Sequence, residues 1–164
     1  MFLEFEQLHE TSRIWIYQAQ RELSEPELES LSVFLKNAVE SWESHGKPVT
    51  GSFKFFHNRI LVIAVANGFD EVSGCSIDTS TRWLKQILSE TGIDFFDRSV
   101  PYFSGEEINY LPVFQIKKFI DLKTISADTY ILNHQIDTIS RLKKDWKVKA
   151  SDSPFSRYFV PVSV

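Results

Sequence analysis

The seven residues from Ile60 to Ala66 read Ile-Leu-Val-Ile-Ala-Val-Ala and are apolar at every position. A strand of this composition is apolar on both faces, so it needs cover above and below and a neighbouring strand at each edge. The run is too short to cross a bilayer as a helix, which takes about 20 apolar residues. The sequence therefore predicts that this run is the central strand of a sheet.

Other segments have the patterns of strands and helices that would complete such a sheet. Ser24-Glu25-Pro26-Glu27 has the S-x-x-E pattern of a capping box, and the apolar residues behind it recur at helical spacing up to a stop at Gly46. The remaining predicted elements are the strands Arg13 to Ala19, Gly51 to Phe56 and Asp94 to Asp97, and a helix from about Thr79 to Thr91.

The predicted elements follow one another as β-α-β-β-α-β, which is the order of the ferredoxin-like, split βαβ arrangement. Such a sheet is antiparallel, with its four strands in the spatial order 4-1-3-2. The sequence thus predicts an α+β fold, with a ferredoxin-like domain over residues 1–98.

Residues 99–164 predict a small helix and strand module at the C-terminal end. We expect strands at about Ile108 to Leu111 and at Tyr130 to Leu132, and a helix that begins after Pro112. A late helix with Ile139, Leu142 and Trp146 on one face follows, and an extended tail is expected from Ser151 to Val164.

Charge and cysteine content limit the classes of function. The formal net charge is −4; residues 1–98 hold 9 Lys and Arg against 15 Asp and Glu, and residues 99–164 hold 9 against 7. This balance argues against nucleic-acid binding, which needs a concentrated cationic face. The single cysteine, Cys75, excludes a disulfide within the chain and a metal site built from cysteines. We expect a cytoplasmic protein with no membrane span, metal or cofactor.

The stretch Ser73-Gly74-Cys75-Ser76-Ile77-Asp78 is the one candidate for chemistry. It joins the central strand to the predicted start of a helix, where unpaired amide groups and the positive end of the helix dipole favour an anion or a thiolate. The alternative is structural: Ser76 or Asp78 is then an ordinary N-cap, Gly74 a turn residue and Cys75 a small buried side chain.

In the predicted topology, three cationic residues reach the same sheet edge as this stretch: Arg13, His45 and Arg98. Cations there would strengthen binding of an anion and lower the pKa of a thiol. We therefore take Ser73, Gly74, Cys75, Ser76 and Asp78 with these three cations as the candidate ligand-binding residues.

The segments Trp15 to Gln18, Ser73 to Asp78 and Phe96 to Arg98, together with Asn133 and Trp146, resemble a family of bacterial conserved hypothetical proteins over the whole chain. Some members are labelled "ABC transporter ATPase". The chain has no G-x-x-x-x-G-K-[S/T] phosphate loop, so the label does not fit its residues. The resemblance implies no activity.

Two functions are consistent with these patterns. The first, which we favour, is a protein that binds a small anionic ligand at Ser73 to Asp78, or a protein partner. The second is an enzyme that uses Cys75 as its nucleophile or redox thiol, and it lacks an identifiable second catalytic group. The residues give neither the ligand nor the oligomeric state.

Overall fold

The structure of the chain, a computed structural model, describes residues 1–66 and 74–160, with the backbone alone at 74–76. The chain divides into two compact units, one of Met1–Asp97 with Asp137–Ser140 and one of Arg98–Ile136 with Arg141–Val164. The boundary predicted between residues 98 and 99 leaves Asp137–Ser140 in the C-terminal module, whereas the structure groups these four residues with the first unit. The architecture is mixed α and β with antiparallel sheets.

The elements of the first unit, in chain order, are β1 (Arg13–Gln18), α1 (Glu25–Glu40), β2 (Glu43–Ser44), β3 (Lys47–Pro48), β4 (Gly51–Phe56), β5 (Ile60–Val65) and α2 (Gly74–Thr91). A short 3-10 helix, Phe5–Gln7, precedes β1. The second unit has β6 (Val100–Ser104), β7 (Glu107–Leu111), α3 (Ile116–Asp121), β8 (Tyr130–Leu132) and β9 (Lys147–Lys149). Helix α4 (Ile139–Asp145) begins within the segment Asp137–Ser140.

Strand β5 is the central strand of the first sheet, and all six of its residues are buried. The strand order is β1-β5-β4, and both pairings are antiparallel. Val65 of β5 lies opposite Arg13 on one side and Gly51 on the other. The predicted antiparallel pairing between the first strand and the apolar run is confirmed.

The expected fourth strand, Asp94 to Asp97, is not an antiparallel strand. It forms an isolated bridge of parallel type between Phe96 and Gln18 at the outer edge of β1. Local side-chain bonds account for the difference: Asp94 Oδ1 accepts the Phe96 amide at 2.8 Å, which competes with a regular ladder. The four-stranded antiparallel ferredoxin-like sheet is therefore wrong in its last strand.

Helix α1 begins as predicted, since Ser24 Oγ accepts the Glu27 amide at 3.3 Å and Glu27 Oε1 accepts the Ser24 amide at 3.0 Å. Hydrogen bonds from the Arg21 side chain lower the pKa of Glu27 to about 2. The helix ends at Glu40 and not at Gly46. His45 and Gly46, both with positive φ, instead form the tight turn between β2 and β3.

Both helices supply the core on one face of this sheet, with buried Leu31, Leu35 and Val39 from α1 and buried Leu84 and Ile87 from α2. Trp42 is 2% exposed, and its ring meets that of the half-buried Trp83 edge to face at 4.8 Å. A Cβ on Gly51 would approach Trp42 Cζ3 to 3.0 Å and the Ala64 carbonyl oxygen to 2.9 Å. Position 51 therefore accommodates only glycine, because β4 lies directly against the Trp42 indole there.

The second unit contains a four-stranded antiparallel sheet in the order β7-β6-β8-β9. Sequence analysis predicted β7, β8 and the helices but missed β6 and β9. The tail forms two 3-10 helices, Ala150–Asp152 and Ser156–Tyr158, so the predicted extended conformation is wrong through residue 160. The core of this unit includes Val100, Leu111, Ile116, Ile125, Ile131 and Ala150.

No helix in residues 1–66 or 74–160 has the length and apolar character needed to cross a membrane.

The buried indole leads to a prediction about stability. Trp42→Ala should lower the free energy of unfolding by about 3–5 kcal/mol, because it leaves a large cavity beside Trp83 and Gly51. The matched control is Val33→Ala, since Val33 on α1 is 64% exposed and its truncation should cost under about 1 kcal/mol. Urea unfolding measures both values. Equal losses for the two variants would contradict the burial of Trp42.

Candidate functional site

Helix α2 begins at Gly74, five residues before the start that the sequence predicted. Ser76 and Asp78 consequently lie inside the helix, so neither is its N-cap. Asp78 is exposed in the second turn. Ser73 and the side chains of Cys75 and Ser76 lie outside the described residues, and Gly74 is described only by its backbone. The roles of these four residues, including the Cys75 thiol, stay predictions.

The structure places the three predicted cationic residues at different positions. Arg13 is exposed at the start of β1, opposite the end of β5, from which the chain leads towards α2. His45 is exposed in the tight turn between β2 and β3. Arg98 is exposed and begins the second unit.

Asp97, the residue before Arg98 in the chain, lies at the end of β1 opposite to Arg13. It accepts a hydrogen bond from the side chain of Gln18, the last residue of β1, at 2.8 Å. Arg13 and Gln18 are five residues apart along the strand, which corresponds to roughly 16 Å. The antiparallel fourth strand that was to bring Arg98 to the Arg13 end is not formed.

Asp97 belongs to a bonded cluster with Arg59. The Arg59 guanidinium donates to the Ala19 carbonyl at 2.7 Å, to the Gln20 carbonyl at 3.2 Å and to the Asp97 carboxylate at 3.2 Å. These bonds tie the turn between β4 and β5 to the end of β1. Because the charges neutralise each other and the donors serve backbone carbonyls, we interpret the cluster as structural.

His134, in the second unit, accepts a hydrogen bond at Nδ1 from the Trp146 indole N–H, with 3.1 Å between the nitrogens. This bond requires an unprotonated Nδ1, so the ring of the neutral form carries its proton on Nε2. Burial lowers the pKa of His134 to about 4. The backbone carbonyl of Trp146 also accepts the Asn133 amide at 2.8 Å. Asn133 and Trp146, two residues that carry the family resemblance, thus join the end of β8 to the start of β9.

The second unit also carries apolar side chains that its core does not use. Helix α3 and the 3-10 turn before it, Val113–Gln115, contribute Ile116 to the core, with Phe119 and Ile120 packed against it. Three apolar side chains that flank α3 are exposed instead: Phe114 is 82% exposed, Leu122 66% and Val113 40%.

We define the α3 surface as these three apolar residues together with Lys117 and Lys118, which are exposed between them. Phe114 has the largest exposed fraction of any large apolar side chain in the part of the chain that the structure describes. Sequence analysis did not identify this surface. One signal in the sequence could have identified it. Phe114 lies off the apolar stripe of the predicted helix, close to the paired lysines Lys117 and Lys118.

Within the described ranges, no group of three or more His, Cys, Asp or Glu side chains is arranged to hold a metal ion. No family model, curated protein or solved structure matches this chain.

The predicted anion site can be tested at the start of α2. If it exists, titration with inorganic phosphate should shift the backbone amide resonances of residues 74–78 and saturate at millimolar concentration, and Arg13→Ala should weaken the binding. Two-dimensional NMR measures the shifts. The amides of Glu25, Glu27 and Leu28 at the start of α1, already capped by Ser24, provide the internal control. Equal shifts at both helix starts, or none, would rule out a specific site.

The His134 pKa gives a pH prediction for stability. Because the folded-state pKa of about 4 lies below the ordinary value of 6.5, the unfolded chain takes up the proton first as the pH falls. The contribution of neutral His134 to the free energy of unfolding is complete above about pH 7 and is lost as the pH falls from 7 towards 4. Between pH 7 and pH 5 the loss should be about 1–2 kcal/mol, allowing for partial solvent access.

His134→Gln keeps an acceptor for the indole but cannot titrate, so the same pH change should cost this variant less. Urea unfolding at both pH values measures the difference. An identical pH dependence in the two proteins would show that His134 is not protonated more readily in the unfolded chain.

Proposed function

We propose that the protein is a binding protein whose ligand is another protein, held through the α3 surface. The observation that supports this function is the exposure of Phe114, just before α3, and of Leu122, just after it. Single exposed apolar residues are common on proteins, whereas two large ones about two helical turns apart, with the exposed Val113 next to the first, favour an interaction site.

The composition of the α3 surface agrees with this proposal. Aromatic side chains supply much of the binding energy at protein interfaces, and full burial of one such side chain contributes about 2–3 kcal/mol. Ile116, and not the exposed Phe114, belongs to the core of the second unit, so a partner can cover Phe114 without any change in that core.

Two alternatives have less support. A small anionic ligand at the start of α2 stays a prediction, because free amide groups occur at the N-terminus of every helix and the side chains of Cys75 and Ser76 are outside the described residues. An enzyme based on Cys75 also stays a prediction, because the Cys75 side chain is outside the described residues. The α3 surface, by contrast, consists entirely of described side chains.

Site-specific photo-crosslinking in living cells tests the proposal. Phe114→p-benzoylphenylalanine should give a discrete adduct of higher mass on illumination, because position 114 would lie inside the interface. Val33→p-benzoylphenylalanine is the matched control, since Val33 is an apolar residue of similar exposure on α1. No adduct at position 114, or the same adducts at both positions, would contradict a specific interface.

A further inference from the structure

We infer that the partner presents an acidic segment to the α3 surface, an inference that rests on the proposed function. The chain as a whole is acidic, with a net charge of −4, yet residues 113–123 contain Lys117, Lys118 and Lys123 against the single acid Asp121. The α3 surface is thus locally basic on an acidic protein. This local charge favours a partner of negative charge at the α3 surface.

The lysines of the α3 surface are available for a partner, whereas two other lysines of the second unit, Lys147 and Lys149, have neighbours within the chain. Lys147 lies 4.1 Å above the centre of the Phe103 ring, and Lys149 pairs with Asp128 at 3.5 Å. Among the described residues, neither Lys117 nor Lys118 forms an ion pair. Lys117 and Lys118 therefore remain free to pair with carboxylates that a partner brings beside Phe114.

The apolar part of the α3 surface indicates what structure the partner's acidic segment has. Phe114 lies in the 3-10 turn and Leu122 follows the last residue of α3, eight residues later. At helical rises of 1.5 to 2 Å per residue this corresponds to about 12–14 Å along the axis. A partner that covers both needs apolar side chains at a similar separation, with carboxylates beside them for Lys117 and Lys118. Two turns of an amphipathic acidic helix have this spacing.

A nucleic acid or an anionic membrane fits these residues less well. Binding to a phosphate backbone depends on several cations with no acid among them, and here the exposed Asp121 lies in the same helical stretch as Lys117 and Lys118. A membrane surface would likewise be repelled by Asp121 and by the acidic remainder of the chain. An acidic protein segment accommodates Asp121 because its carboxylates occupy defined positions.

Charge reversal within the crosslinking experiment tests the inference. In the protein with p-benzoylphenylalanine at position 114, Lys117→Glu with Lys118→Glu should reduce the yield of the adduct about tenfold or more. Lys47→Glu with Lys85→Glu, at two exposed positions of the first unit, changes the net charge equally and should leave the yield unchanged. Mass spectrometry of the adduct should identify a partner peptide with Asp or Glu within a few residues of the crosslinked position.

The outcomes separate the inference from the proposed function. If the parent protein gives no adduct, the proposed function fails. If the adduct forms but is insensitive to reversal at Lys117 and Lys118, or equally sensitive to both double variants, the partner is a protein without the acidic segment and the inference is overturned. An adduct that nuclease digests, or one formed with lipid, also overturns it.

Discussion

The burial of β5 on both faces is the constraint on which the first unit depends. Because every residue of this strand is withdrawn from solvent, β1 and β4 must hydrogen-bond to its two edges. Leu61, Ile63 and Val65 join the core that α1 and α2 cover, and the alternate residues lie on the opposite face of the sheet. The close contact of Gly51 with Trp42 follows from the same arrangement, since β4 can approach β5 and the indole only where a side chain is missing.

The sequence predicted those elements whose cause is local or strongly periodic. The capping box at Ser24 and the apolar run from Ile60 are of this kind, and both appear in the structure as expected. The failures have physical causes that periodicity does not report. Asp94 bonds to the Phe96 amide two residues away, which replaces a ladder bond. The residues His45 and Gly46 resemble a helix end, but their positive φ angles make a hairpin turn.

The second unit was harder to predict for a related reason. Pro101 lies inside β6, although proline has no amide to donate and usually argues against a central strand. Strand β9 is only three residues long and alternates lysine with valine, so it gives almost no periodic signal. Its position depends on pairing with β8, a contact between residues far apart in the chain.

The candidate sites illustrate the same limit. The prediction for Arg98 depended on an antiparallel fourth strand, whereas Asp94 to Asp97 form an isolated bridge of parallel type to Gln18. The α3 surface was not predicted because a sequence pattern identifies the apolar stripe that a helix buries, and Phe114 and Leu122 lie outside that stripe. Only the structure separates apolar side chains that a core uses from those that remain in contact with solvent.

The central claim is that Phe114 serves a partner and not the fold, and the free energy of unfolding of Phe114→Ser tests it most directly. If the claim is right, this value equals that of the unmodified protein to within about 0.5 kcal/mol, because serine replaces a ring already in water. Leu111→Ala, at a fully buried position of the same unit, should lose about 2–5 kcal/mol in the same urea titration. A loss for Phe114→Ser as large as that for Leu111→Ala would contradict the claim, since Phe114 would then be part of the core.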